Sequence, residues 1–333
     1  MTKMGSTPKN ISGSRAAAIL GLSNFSTPID IWLQIMEERE PGFCMANNFE
    51  KPEWKDAAVL RWGLAFENSI CDIASLIQRR NIIDKEREYS LRDGLVTCHI
   101  DGMYEGSNKL HEGKTTSSFI YRDKWGEPGS DMIPKEYQVQ VQHQMMCAKK
   151  DVNIVSVLVF PNRVDDWEEA GIEVKENANF RGQWNIYFDN GSFVDTSTWT
   201  QVLYQMGYFH QYIVEANKAL QELMLQTYMN WWEEHVVKKQ MPEASNYSDI
   251  KKLIRAPSGT IVATEELESL SAEYKAITAE SSEINKRKEH LKTLIINHMN
   301  QSAKAEDKES ADKYILRAPN GKKLHSYNGK VFR

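Results

Sequence analysis

Residues Val96–Ser117 read VTCHIDGMYEGSNKLHEGKTTS, and this stretch decides the predicted fold. An apolar run ends at Asp101, a turn rich in glycine, serine and asparagine follows, and the stretch then reaches Glu112-Gly113-Lys114. The pattern predicts two strands joined as a β-hairpin, with Glu112 and Lys114 on one face of the second strand. Two carboxylates and a lysine so arranged suit binding of Mg²⁺ and activation of water against a phosphodiester. The stretch therefore predicts a DNA nuclease, although charged pairs are also common on exposed strands.

Composition is that of an ordinary soluble globular protein. The chain has 333 residues, of which 41% are hydrophobic and 26% charged, so one full core and an appendage are expected. No apolar run approaches the roughly eighteen residues of a membrane span, and the N-terminus lacks an apolar signal segment. We therefore expect a cytoplasmic protein. The net charge of −5 neither favours nor excludes nucleic-acid binding, because a basic groove can be local.

The four cysteines, Cys44, Cys71, Cys98 and Cys147, are widely spaced and form no CxxC pair. This spacing argues against structural zinc, against a disulfide framework and against an iron–sulfur cluster. A nucleotide cofactor is not expected either. The cysteines are predicted to be reduced core residues.

Two kinds of periodicity predict an α/β (α+β) fold. Helical patterns cover residues 11–22, 29–38, 56–79 and 134–148, and short β-rich runs cover residues 86–90, 95–100, 109–114 and 154–160. Aromatic residues are dense between residues 179 and 212, where a core role is favoured over base stacking. These elements predict a first domain over residues 1–215.

Beyond residue 215 the pattern changes to long helices. Residues 264–299 carry apolar positions at alternating spacings of three and four, which is a heptad pattern. Asn320-Gly321 or Asn328-Gly329 then suits the turn of a terminal β-hairpin. We therefore expect a second domain over residues 216–333, a helical, coiled-coil-like extension with a terminal hairpin.

Two further polar positions join the hairpin as candidates. Glu67 falls among the apolar positions of the helical pattern over residues 56–79, so it lies either at the edge of the stripe or in a site. The run YQVQVQ at residues 137–142 follows the hairpin on a helix, and Gln140 points nearly opposite to Gln138 and Gln142. A glutamine directed at a metal site orients a water or a phosphate without adding charge. Each position taken alone is equally compatible with an ordinary polar surface.

Five motifs in order resemble one known family. They are ISGS at residues 11–14 with the ensuing AAAILGLS, Trp62-Gly63-x-x-x-Glu67, Ile100-Asp101-Gly102, Glu112-Gly113-Lys114 and Tyr137-x-x-Gln140-Val141-Gln142. Together they resemble the lambda-exonuclease-like, YqaJ-type viral recombinases of the PD-(D/E)XK nuclease superfamily. The resemblance covers roughly the first 160 residues. It implies a restriction-endonuclease-like core, in which a mixed central β-sheet is flanked by helices.

The resemblance also implies a role for each matching residue. Asp101 and Glu112 would be the main ligands of Mg²⁺, for which Mn²⁺ would substitute, together with the backbone carbonyl of Gly113. Lys114 would activate the attacking water. Glu67 would bind the metal directly or through water, and Gln140 would complete the catalytic set.

Recognition of a DNA 5′-phosphate is the feature in which this chain departs from the family pattern. Ser14 matches a serine that contacts the 5′-phosphate, but His99 stands where the family usually has a serine two residues before the catalytic aspartate. Ser14 and His99 are therefore the candidate contacts to the phosphate.

The function implied is a 5′→3′ exonuclease that degrades linear duplex DNA in phage-type recombination or repair. Its partners would be double-stranded DNA ends, a single-strand annealing protein and, by analogy with the ring trimer of lambda exonuclease, further copies of itself; no membrane is involved. A phage-encoded protein would act in the cytoplasm of its bacterial host. Two alternatives stay open: a catalytically inactive scaffold that binds DNA ends, and an endonuclease of the same superfamily.

Overall fold

The computed structural model describes residues 10–50, 58–177, 180, 182–253, 262–302, 314–319 and 323–327. The chain divides into two compact units, Met1–Ala256 and Pro257–Arg333. In the first unit, the elements up to the candidate site are β1 (Ile11–Ser12), α1 (Gly13–Ile19), α2 (Pro28–Arg39), α3 (Phe43–Asn47), α4 (Ala58–Gln78), β2 (Ile82–Ile83), β3 (Glu88–Leu91), β4 (Val96–His99), β5 (Gly102–Tyr104) and β6 (Lys109–Ser117). The later elements are α5 (Ser118–Lys124), α6 (Lys135–Ala148), β7 (Val152–Phe160), α7 (Val164–Glu169), β8 (Glu173–Glu176), β9 (Trp184–Tyr187), β10 (Phe193–Asp195), α8 (Thr196–Gln205), β11 (Phe209–Glu215), α9 (Lys218–Trp231) and α10 (Tyr247–Leu253).

A mixed five-stranded sheet forms the centre of this unit, with strand order β11-β7-β6-β5-β2. Strands β6 and β7 are parallel, and the other neighbouring strands are antiparallel. A smaller sheet has the order β1-β4-β3, and a third, antiparallel sheet has the order β10-β9-β8. The predicted fold class, a mixed sheet flanked by helices, is confirmed.

Strand β7 shows why helices cover both faces of the central sheet. Its odd-numbered residues Val155, Val157 and Val159 belong to one apolar core, whereas Ile154, Leu158 and Phe160 belong to a second core on the other face. Because successive side chains of a strand point to opposite faces, a strand that is apolar throughout must be covered on both. Helices α1, α2, α6 and α9 contribute to the first core, and α4, α7 and α8 contribute to the second.

Helix positions follow local sequence signals. Thr27 and Asp30 form a reciprocal capping box at the start of α2, with Pro28 at the first helical position. Helix α4 buries Trp62, Phe66 and Ile70 at spacings of four residues, which turns one stripe of the helix towards the second core.

The predicted hairpin of residues 95–114 is wrong in one respect. Strand β4, which precedes Asp101, pairs with β1 and β3 and lies outside the central sheet. The strand that pairs with β6 is the short β5, which begins at Gly102, a residue that the sequence placed in the turn. The chain changes sheets at Ile100-Asp101. A Cβ at Gly102 would lie 2.2 Å from Cγ2 of Ile82, so only glycine allows β2 to pack this closely against β5.

The boundary between the compact units falls after Ala256, whereas the sequence placed a domain boundary after residue 215. Helix α9 buries Met224, Tyr228 and Trp231 in the first core, and it continues into a six-residue π-helical segment, Trp232–Val237. The helix therefore completes the first unit, because its apolar stripe fills the core beside α6.

The second unit contains the long helix α11 (Glu265–Ser302) and the antiparallel strands β12 (Tyr314–Arg317) and β13 (Lys323–Tyr327). The helix covers the predicted heptad segment. The two strands flank Asn320-Gly321, whose own residues, like Asn328-Gly329, lie outside the described ranges. In the described part of the chain, no helix is both long and apolar enough to cross a membrane.

Candidate active site

Asp101 lies between β4 and β5 and is held by the backbone of β6. The amide N–H of Gly113 donates a hydrogen bond of 2.7 Å to Oδ2 of Asp101. A Cβ at Gly113 would lie 3.3 Å from Cγ2 of Ile70 on α4 and 3.5 Å from Oδ2 of Asp101. The glycine therefore lets both the carboxylate and the helix approach the strand closely, a use of glycine that the motif alone did not reveal.

Glu112 is buried, with 1% of its surface exposed, and three donors converge on its carboxylate. Its Oε1 accepts hydrogen bonds from Nζ of Lys114 and, at 2.6 Å, from Nε2 of Gln140. Its Oε2 accepts a hydrogen bond of 2.6 Å from Nε2 of Gln144. Strand β6 thus supplies the carboxylate and the lysine on one face, and α6 supplies the two amides that fix the carboxylate.

Lys114 is enclosed between Glu112 and an aromatic ring. Its Nζ lies 5.1 Å from the ring centroid of Tyr137, which is a cation–π distance. Burial acts to lower the pKa of Lys114, but the carboxylates of Glu112 and Asp101 outweigh it and raise the pKa above its ordinary value. The ammonium group therefore provides a fixed positive charge between the acidic side chains.

Asp101 and Glu67 are crowded by like charge. Burial, followed by the charge of Glu112, raises the pKa of Asp101 well above its ordinary value, while Lys114 and the Gly113 amide oppose the rise. Burial, Glu112 and Glu86 likewise raise the pKa of Glu67 on α4. These carboxylates disfavour each other's ionisation, and a bound cation would relieve the repulsion between them.

The donor set fits a divalent cation that keeps part of its water. Within the described ranges, no three Asp, Glu, His or Cys side chains lie close enough together to hold a metal ion. Mg²⁺ in phosphoryl-transfer sites is commonly held by one or two carboxylates and completes its octahedron with water and substrate oxygens. Asp101 and Glu112, beside the backbone of Gly113, match that smaller set of protein ligands.

Helix α6 presents a stripe to the site, and the sequence anticipated only part of it. Tyr137, Gln140 and Gln144 follow one another at helical spacings of three and four. Gln138 instead donates to the carbonyl of Asp131, and Gln142 donates to the carbonyl of Glu215 at 2.7 Å. Gln144 is the contact that sequence reasoning missed, and its i+4 spacing from Gln140 was the available signal.

The two candidate contacts to a 5′-phosphate are placed differently. Ser14 is exposed at the start of α1, where its Oγ lies 3.1 Å from Oγ of Ser12. This helix start is next to the site, because a Cβ at Gly13 would lie 3.7 Å from Cγ of Gln140. The ring of His99 turns to Glu88, with 3.2 Å between Nε2 and Oε2, and only its backbone carbonyl points towards Gln144.

Comparison with known sequences finds a family that matches the first part of the chain. Residues 6–151 match the family described as the YqaJ-like viral recombinase domain. This match contains all five motifs, so the resemblance found in the sequence is confirmed over those residues.

Individual relatives cover different shares of the chain. The uncharacterized protein YqaJ of Bacillus subtilis (strain 168) is 28% identical over 137 residues, which are 41% of this chain and 39% of that protein, so the chain spans about two fifths of its relative's length. Among solved structures, an alkaline exonuclease (LHK-Exo) from Laribacter hongkongensis is 13% identical with a TM-score of 0.45, over 70% of this chain and 90% of that one. A phage related exonuclease from Haemophilus somnus 129PT is 10% identical with a TM-score of 0.39, over 69% and 96%.

Proposed function

We propose that this protein is a metal-dependent deoxyribonuclease that degrades linear duplex DNA from its ends in the 5′→3′ direction, as a step of phage-type recombination or repair. The observation that carries the proposal is the convergence of Asp101, Glu112, Lys114 and Gln140 around strand β6 of the central sheet, where the acidic groups are crowded. The match of residues 6–151 to a viral recombinase domain supports the recombination context.

The cation itself would be held by Asp101 and Glu112, with the carbonyl of Gly113 and with Glu67 directly or through water. Bound Mg²⁺, or Mn²⁺ in its place, supplies polarisation of the phosphate oxygens and promotes ionisation of water. The protein's part is to bring together two acidic side chains, one on β6 and one between β4 and β5. The Gly113 amide fixes Asp101, and the three donors fix Glu112.

In the proposal, Lys114 and Gln140 act on the phosphate of the substrate and on the attacking water. The ammonium group of Lys114 is charged and held beside Glu112, so it stabilises negative charge that develops on the phosphate and favours the ionised form of an attacking water. Gln140 contributes a neutral amide that orients a water or a phosphate without adding charge. At the start of α1, Ser14 would contact the 5′-phosphate of a DNA end; the exposed ring of His99 is the less favoured contact because it pairs with Glu88.

The first test compares linear duplexes that carry a 5′-phosphate or a 5′-hydroxyl, each with Mg²⁺, using Lys114→Ala and the matched control Lys109→Ala. Lys109 is exposed at the start of the same strand, so its loss should leave digestion unchanged. Lys114→Ala should slow digestion by about 10²-fold or more while DNA binding is largely retained. Undiminished digestion by Lys114→Ala would refute the assigned roles.

The same reactions separate the finer alternatives. Faster digestion of the 5′-phosphorylated duplex supports both polarity and the phosphate contact. Products released from 3′ ends would overturn the polarity, and cleavage of covalently closed circles as readily as of linear duplex would indicate an endonuclease. Binding of DNA ends without any product would indicate an inactive scaffold. Assembly into a trimer and delivery of single strands to an annealing protein are further parts of the proposal, and they are tested by the mass of the protein in solution and by co-purification.

A further inference from the structure

Gln144 lies at the point where three elements of the site meet. Its side chain is buried on α6, with 1% exposed, and its Nε2 donates to Oε2 of Glu112 on β6 at 2.6 Å and to the carbonyl of His99 at the end of β4 at 3.2 Å. Resting on the proposed function, we propose that Gln144 is a positioning residue that sets the placement of Glu112 relative to Asp101, and thereby the affinity of the site for its divalent cation.

The orientation of the Gln144 amide follows from its neighbours. A carboxylate and a backbone carbonyl only accept hydrogen bonds, so the NH₂ group of Gln144 has to face Glu112 and His99. Its Oε1 must then face a donor, and it accepts a hydrogen bond of 3.1 Å from Nδ2 of Asn153. Asn153 is itself fully buried on β7. The neighbours therefore allow the amide one of its two orientations.

The need for such a link comes from the topology. Asp101 follows β4, which belongs to the smaller sheet, whereas Glu112 lies on β6 in the central sheet. In the described residues β4 pairs with β1 and β3, and no ladder joins it to β6. The Gln144 side chain connects the two sheets through the carbonyl of His99, two residues before Asp101 in the chain. The Gly113 amide connects them through the side chain of Asp101 itself.

Two bridges of different kinds thus hold the two acidic groups. The Gly113 bridge is part of the backbone of β6, so side-chain substitution leaves its donor in place. The Gln144 bridge is a side chain, and its removal releases both Oε2 of Glu112 and the carbonyl of His99. Groups that orient metal ligands in this way typically change metal affinity by about 10- to 100-fold when they are removed.

A matched control, Gln142, lies two residues before Gln144 on the same helix. Gln142 is also buried, and its amide is engaged by the backbone of Glu215 and Asn217 and by Gln221, on the side away from Glu112. Gln142→Met and Gln144→Met remove the same chemical group from the same helix. The two variants should therefore lose comparable thermal stability, but only Gln144→Met should affect the cation.

The experiment measures Mn²⁺ binding to the metal-free full-length protein by titration calorimetry, without DNA. Gln144→Met should bind Mn²⁺ about 10- to 100-fold more weakly than the wild type, and Gln142→Met should bind it as the wild type does. Asn153→Leu removes the donor that holds the Gln144 amide, so it should weaken binding in the same direction by less. Gln144→Asn, which keeps the neutral amide but shortens the side chain by one methylene group, should weaken binding in the same direction whether or not the methionine variant folds, because its amide no longer reaches Oε2 of Glu112.

Digestion of linear DNA then gives a second readout. The Mg²⁺ concentration for half-maximal rate should rise in Gln144→Met, with the KM for DNA unchanged. Wild-type Mn²⁺ affinity in folded Gln144→Met and Gln144→Asn would overturn the positioning role and leave the proposed function intact. Absence of Mn²⁺ binding and of digestion in the wild type would overturn the proposed function, and the positioning role with it.

Discussion

Gly102 has no room for a Cβ beside Ile82, and this gives a quantitative prediction. An alanine at position 102 would place its Cβ 2.2 Å from Cγ2 of Ile82 and 3.3 Å from the carbonyl oxygen of Ile83. Two carbon atoms are comfortable at about 3.5 Å or more, so Ile82 would have to move by roughly 1.3 Å. Strand β2 pairs directly with β5 in this region, and the required shift therefore disturbs the edge of the central sheet next to Asp101.

The expected magnitudes follow from this overlap. Overpacking of this kind costs about 1–3 kcal/mol, and the loss of glycine's freedom in the unfolded chain returns about 0.4–1 kcal/mol. We expect Gly102→Ala to lower the free energy of unfolding by about 2 kcal/mol. Ile82→Ala should cost about 2–3 kcal/mol, near the lower end for isoleucine because the strand lies at the sheet edge. In the double variant the new methyl group occupies space vacated by Ile82, so the combined loss should be about 2 kcal/mol smaller than the sum.

The assay is urea unfolding followed by tryptophan fluorescence. All nine tryptophans precede residue 233, so the signal reports the first compact unit alone. The nuclease rate should fall in Gly102→Ala and recover partly in the double variant, because Asp101 is the preceding residue. Losses that add within about 0.5 kcal/mol would refute the reasoning, since they would mean that the two side chains do not compete for the same space.

Two further predictions concern charge. Asp101→Asn replaces a carboxylate crowded by Glu112 and Glu67 with a neutral group of the same shape. In the absence of metal, the variant should melt at a higher temperature than the wild type at pH 8, while digestion of DNA is lost. An unchanged or lower melting temperature would contradict the crowding. Burial, opposed by Arg15, raises the pKa of Glu38 to about 7, so the contribution of this carboxyl group to stability should decline as the pH rises from about 4.5 to 7. Thermal unfolding of Glu38→Gln between pH 4 and 8 should lack that decline. An identical pH profile in both proteins would contradict the prediction.

Local patterns predicted the elements of this fold well where one element buries one stripe. Helix α6 (Lys135–Ala148) lies within the predicted helical stretch 134–148, with Pro134 as its N-cap and not in its first turn, and Glu112 and Lys114 share a strand face because the period of a strand is two residues. Which strands pair is a different kind of information. The runs on either side of Asp101 read as one hairpin, yet the first of them pairs with β1, which lies more than eighty residues earlier in the chain. Nothing in the period of β4 distinguishes these partners.

The site shows the same division between local and tertiary information. Asp101, Glu112 and Lys114 are recognisable because a motif with fixed spacing carries them. Gln144 and Asn153 act through contacts between α6, β6 and β7, and each alone reads as an ordinary buried amide. The domain boundary after residue 215 stays a prediction, because an amphipathic helix such as α9 has the same pattern whether it completes a core or begins an extension.

The hydrogen-bond donors of the site are distributed unevenly, and this has a consequence for how the site works. Glu112 receives three side-chain donors, whereas Asp101 receives one backbone donor, the Gly113 amide, and the charges of Glu112 and Glu67 act against its ionised form while Lys114 favours it. These hydrogen bonds fix the orientation of Glu112, whereas burial and neighbouring carboxylates raise the pKa of Asp101 and of Glu67. In the proposed function, a cation bound by Asp101 and Glu112 would relieve the like-charge crowding at Asp101 and Glu67. We therefore expect the proposed site to be preorganised at Glu112 and crowded by like charge at Asp101, an arrangement that favours binding of a cation.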